Sequence, residues 1–95
     1  MNVKHIYLKN HNRFDLLTSV TVNNDYELEE HLIKLMKTTK ELKGKKINYF
    51  KHVWQGYYKV YYWGNLSLQL IVSDLKLLKN GQPFNKYAKG VDLKQ

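Results

Sequence analysis

Eight of the fifteen residues from Tyr49 to Trp63 are aromatic, against five in the rest of the chain. No other feature constrains the fold as much. Aromatic side chains favour the pleated, half-buried surface of a strand, and Gln55-Gly56 and Gly64-Asn65 are pairs that close two-residue hairpins. The spacing predicts a three-stranded meander over about 46–54, 57–63 and 66–73. Two-residue turns set the register. One face carries Phe50 opposite Tyr61, Trp54 opposite Tyr57, Trp63 opposite Leu66 and Tyr61 opposite Leu68. The other carries Tyr49 opposite Tyr62, Val53 opposite Tyr58 and Lys51 opposite Val60. The first face, extended by Leu70 and Val72, is the one expected to pack on a helix. It also receives Asn48, His52 and Lys59, which requires Lys59 to snorkel past the helix edge or one hairpin to contain a bulge.

Two strands are expected upstream, over 3–9 and 14–22, joined by His11-Asn12-Arg13. In the second, Phe14, Leu16, Thr18, Val20 and Val22 alternate with Asp15, Leu17, Ser19 and Thr21, the period of a half-buried strand. Asn24 followed by Glu27 has the spacing of an N-cap with its reciprocal partner. A helix is predicted over 25–43, with Leu28, Leu32, Leu35, Met36, Thr39 and Leu42 as its apolar stripe. Glu30 and Lys34, and Lys37 and Glu41, are spaced as supporting pairs, and Gly44 stands at the stop position. After the meander, Ser73 is placed to cap a short helix over 74–79, closed by Asn80-Gly81 and Pro83. Residues 82–95 read as a loosely ordered basic tail with Lys86, Lys89 and Lys94. The expected fold class is α+β: a single domain over 1–95, of order ββαβββ, with one long helix packed on an antiparallel sheet.

The formal net charge of +8 comes from fifteen lysines and one arginine, Arg13, against eight acids. Such a balance attracts polyanions. Abundant Lys, Asn, Tyr and Ile with almost no Arg is also what an AT-rich genome writes, and with the small size this suggests a low-GC bacterium or one of its phages or plasmids; a phage or mobile element is the expected source. The chain has no cysteine, hence no disulfide framework. Its start lacks a secretory apolar region, and no apolar run reaches the roughly 20 residues that span a bilayer. A cytoplasmic protein without membrane contact is expected.

Tyrosine interleaved with lysine on a sheet face suits single-stranded nucleic acid, because bases stack on rings while cations follow phosphates. Tyr49, Tyr58 and Tyr62 with Lys51 form the candidate platform. Lys40, Lys43, Lys45 and Lys46, with Lys34 and Lys37 upstream, are candidate phosphate contacts around the helix end. The leading expectation is a small non-enzymatic protein that binds DNA or RNA through these residues. The same tyrosine face also suits a protein partner or a homodimer, since tyrosine supplies large contact area at low entropy cost. With a single arginine, bidentate reading of guanine is largely unavailable. His5, His11, His31 and His52 lack metal-ligand spacing, and Gly44-Lys45-Lys46 lacks the upstream glycine and following Ser/Thr of a phosphate loop. No metal, cofactor or catalytic set is therefore assigned.

A small basic domain whose helix leads into a three-stranded meander resembles the RelE/HigB mRNA-cleaving toxins, and the stretch from Lys43-Gly44 to Val72 carries that likeness. That resemblance implies phosphoryl transfer on RNA, with His52, Lys59 and Tyr57 as acid–base and charge-stabilising groups. The two N-terminal strands and the scarcity of arginine depart from the family.

Overall fold

The computed structural model describes residues 2–44, 51–54, 56–62 and 68–83. In chain order the elements are β1 (Asn2–Asn10), β2 (Arg13–Val22), α1 (Asp25–Thr38), a 3-10 turn (Lys40–Leu42), β3 (Lys51–Trp54), β4 (Tyr58–Tyr62) and β5 (Leu68–Ser73). The strands form one five-stranded sheet in the order β2-β1-β5-β4-β3, and every neighbouring pair is antiparallel. The expected ββαβββ order is thus present. Among the described residues no helix is long and apolar enough to cross a membrane.

The β1–β2 hairpin is tighter than expected. Asn10 pairs with Arg13, so the turn is His11-Asn12 alone, and His11 takes a left-handed φ of 57°. A positive φ at the first turn position lets a two-residue loop follow the twist of the strands. Further along, the register slips between Ile6 and Tyr7, which pair with Thr18 and Leu16 respectively. Leu17 is the extra residue of this β-bulge. The expected alternation along β2 is therefore divided between two faces. Phe14 packs in a cluster on one side, while Val22 and the half-buried Val20 pack on the other.

Asn24 caps α1: its side chain accepts the Glu27 N–H at 2.9 Å. The Glu27 carboxylate reaches back to the Asn23 N–H, also at 2.9 Å, one residue earlier than the strict reciprocal pattern. The helix ends at Thr38, short of the expected 43. Thr38 turns its hydroxyl onto the Lys34 carbonyl at 3.0 Å, and Thr39 is extended, with its N–H on the Leu35 carbonyl. β-Branched residues with competing hydroxyls are poor helix propagators. A 3-10 turn follows instead and brings Leu42 into full burial. Gly44, at φ 91°, lies beyond that turn and does not end α1.

Leu28, Leu32 and Met36 of α1, with Leu42, pack on Ile6, Leu8, Val22, Tyr61, Leu70 and Val72 to form the main core. Each fully buried Leu or Ile contributes roughly 1.5–3 kcal/mol relative to exposure. Tyr61, Leu70 and Val72 were expected on this face, and they are there. The pairings themselves differ by two residues. Trp54 lies opposite Lys59 rather than Tyr57, Lys51 opposite Tyr62 rather than Val60, and Tyr61 opposite Leu70 rather than Leu68. A slip of two keeps every residue on its face, whereas a slip of one reverses the faces. Tyr57 stands outside the ladder, and its hydroxyl donates to the Gly81 carbonyl at 2.7 Å.

The opposite face is partly covered. Residues 74–83, expected to begin with a helix, form a strap without one. The Ser73 hydroxyl accepts the Leu75 N–H at 3.0 Å and donates to the Leu75 carbonyl at 2.7 Å, a local turn that competes with helix initiation. Leu77 bridges Pro83, and the Leu78 N–H reaches the Gln82 carbonyl at 2.8 Å. The Lys79 carbonyl accepts the Phe14 N–H at 2.9 Å, covering the start of the β2 edge. Gln82 and Pro83, assigned above to the loose tail, belong to this strap. Residues 84–95 lie outside the described residues.

Candidate nucleic-acid interface

On the strap side, Tyr7, Phe14, Val60, Ile71 and Leu77 form a second buried cluster, against which Tyr57, Tyr58 and Tyr62 are partly buried. The Tyr58 ring meets Tyr57 at 5.0 Å between centroids, nearly perpendicular, and Phe14 at 5.8 Å, also edge to face. Burial, and then the neighbouring Tyr57, raise the Tyr58 hydroxyl above its ordinary pKa. Tyr58 is thus engaged in packing as much as presented to a ligand. Tyr62, half-buried, stands opposite Gln69 on one side and Lys51 on the other, and Gln69 in turn stands opposite Lys9. A transverse row Lys9–Gln69–Tyr62–Lys51 follows from these pairings. The Lys9 ammonium lies 5.7 Å from the centre of the Phe14 ring. Tyr49, Lys45 and Lys46 lie outside the described residues.

Around the end of α1, Lys34, Lys37, Lys40 and Lys43 are all exposed. Among the described residues none of the four is in an ion pair. The pairs that exist there are Lys4–Asp74 and Arg13–Asp15, so neither Glu30–Lys34 nor Lys37–Glu41 forms. Glu41 stands in the 3-10 turn, beyond the last turn of α1, and the helical i,i+4 geometry does not extend to it. The chain's one arginine is occupied: the Arg13 Nε donates to Asp15 at 2.9 Å.

Of the residues grouped by the toxin resemblance, Tyr57 and Lys59 are parted. Tyr57 packs on the strap side, bound to Gly81, whereas the half-buried Lys59 holds its ammonium 5.8 Å from the centre of the Tyr61 ring in the core beneath α1. His52 pairs with Tyr61 in register. The Tyr61 hydroxyl is pushed up to about 12 by burial, then by the charges of Asp25 and Glu29 on α1. A phenol so held keeps its proton at neutral pH.

Sequence reading overlooked Lys76 and Lys79, which the strap sets beside β2. With Phe14, Leu16 and Leu77 they line a cleft of about 230 Å³. The signal was present. Asn80-Gly81 followed by Pro83 leaves little room for a helix after Ser73. Nearby, the His5 ring nitrogen lies 2.7 Å from the Ser19 hydroxyl. Its pKa is lowered by burial and then by the charge of Lys76, against a smaller opposing pull from Asp74. No known protein family, curated protein or solved structure shows a significant match to this chain.

Proposed function

We propose that the protein is a small, non-enzymatic nucleic-acid-binding protein whose principal contacts are lysine–phosphate contacts at the end of α1. The supporting observation is the set Lys34, Lys37, Lys40 and Lys43, all exposed and, among the described residues, without an acidic partner. The helix dipole favours cations only within the last turn. Lys40 and Lys43 stand beyond it. Four uncompensated ammonium groups in ten residues form an electrostatic footprint suited to a phosphate backbone, in a chain of net charge +8. The transverse row through Tyr62 supplies a ring for base stacking, and Lys45, Lys46 and Lys51 add to the cationic complement of the chain.

The test is the salt dependence of binding to a fluorescent single-stranded oligonucleotide, with the four lysines replaced together by Gln. Each lost phosphate contact lowers the slope of log K against log salt by about 0.7, so the variant should be flatter by roughly 3. An unchanged slope, or no binding by the wild type at low salt, overturns the proposal.

A further inference from the structure

The cleft between β2 and the strap is lined by apolar side chains of the second cluster, by the exposed Leu16 and by two cationic side chains, Lys76 and Lys79. Phe14 and Leu77 are buried in the second cluster and form its inner lining, while Leu16 is 51% exposed. Leu16 lies directly opposite Tyr7 and immediately before the bulged Leu17. Bulges commonly re-aim a side chain beside a functional site, and here the bulge leaves Leu16 facing the strap while Leu17 packs toward α1. Two of the lining residues, Lys76 and Lys79, are exposed, and neither is in an ion pair among the described residues. The acid in the lining, Asp15, already holds Arg13 at 2.9 Å. The cleft therefore has an apolar lining and two uncompensated positive charges. Its 230 Å³ is below the roughly 300–1,000 Å³ that encloses a drug-sized molecule. There is room for one ring system with its charged group.

We propose that this cleft binds a single nucleotide, the base against Leu16 and Leu77 and the phosphate against Lys76 and Lys79. The identity of the occupant rests on the nucleic-acid reading above, while the site is separate from the α1 lysines. An isolated anion gains nothing from the apolar wall, and an uncharged ring gains nothing from the lysines. A nucleotide satisfies both, and within a bound strand it fixes one position on the protein.

The experiment is an amide NMR titration of the intact chain with thymidine monophosphate, thymidine and inorganic phosphate as separate probes. The monophosphate should give saturable shifts at Leu16, Leu77 and their neighbours, and both other probes should bind at least about tenfold more weakly. Replacing Lys76 and Lys79 together by Gln should weaken the monophosphate by about tenfold or more, the loss expected of a charge-assisted contact. Both side chains are exposed, and the bond from Phe14 goes to the Lys79 backbone, so the fold is retained. Shifts centred elsewhere, phosphate binding as well as the nucleotide, or indifference to the double substitution each overturn the proposal. Oligonucleotide affinity, measured on the unsubstituted chain beside the monophosphate titration, separates the two readings. Strand binding that persists while the cleft shows no monophosphate shifts leaves the α1 lysines standing and removes the cleft. Monophosphate binding in the cleft without strand binding does the opposite.

Discussion

The Tyr7 hydroxyl accepts the Leu77 backbone N–H at 2.7 Å, joining the middle of β1 to the strap seventy residues later. Both groups are buried. Tyr7→Phe keeps the ring and removes the acceptor, leaving the amide unpaired at a cost of about 1–3 kcal/mol. Denaturant unfolding measures the loss, and hydrogen exchange should show it first at the Leu77 amide. Unchanged protection there would mean that the strap is held independently of Tyr7.

Gly81 and Gly44 offer a controlled comparison. Both have positive φ, 88° and 91°, but a Cβ at Gly81 would lie 2.6 Å from the Phe14 ring, whereas one at Gly44 meets nothing within 4 Å. Gly44→Ala should cost only the left-handed backbone penalty, about 1–2 kcal/mol. Gly81→Ala adds displacement of a buried ring and should cost more, up to about 3 kcal/mol beyond the backbone term. Equal losses in chemical denaturation would refute the close approach of Phe14.

His5 should make stability depend on pH. Its folded pKa is lowered from 6.5, by burial first and then by Lys76, so the folded state resists protonation. Below pH 6.5 the unfolded chain takes up the proton first, and stability falls until the lowered folded value is passed. The contribution is fully present above the unfolded value. The melting temperature should therefore drop as the pH falls below 6.5, and His5→Asn should drop less. Identical profiles for the two proteins would contradict the lowered value.

Leu32 is 0% exposed in the core beneath α1. Leu32→Ala should cost about 2–5 kcal/mol, as buried leucine truncations do. A loss below about 1 kcal/mol would show that α1 does not rest on the sheet through this residue.

Local signals told much of this fold in advance. Asn24 and Glu27 mark the start of α1 because capping is satisfied within four residues, and Leu28, Leu32 and Met36 recur at the helical period whatever lies beneath them. The faces of β4 and β5 were legible for a similar reason, since parity survives the two-residue difference in register. The insertion of β5 beside β1 was not legible, because pairing between strands some sixty residues apart leaves no local trace. The bulge at Leu17 hid behind an unbroken alternation. Of the candidate interface, the lysines at the end of α1 could be read from composition and helix position. The packing of Tyr58 could not, because it depends on Phe14 and on a strap whose opening Ser73 has the residue pattern of a helix cap.

The position of β1 between β2 and β5 also governs how the molecule is assembled. During synthesis β1 and β2 can zip together early and α1 can form, yet one side of β1 keeps its row of unpaired amides until residues 68–73 emerge. An unpaired strand edge is a template for other chains, and pairing across so long a separation is slow. Nascent chains arrested before β5 should thus be the aggregation-prone species, and the sheet should close only when β5 leaves the ribosome and fills the gap beside β1.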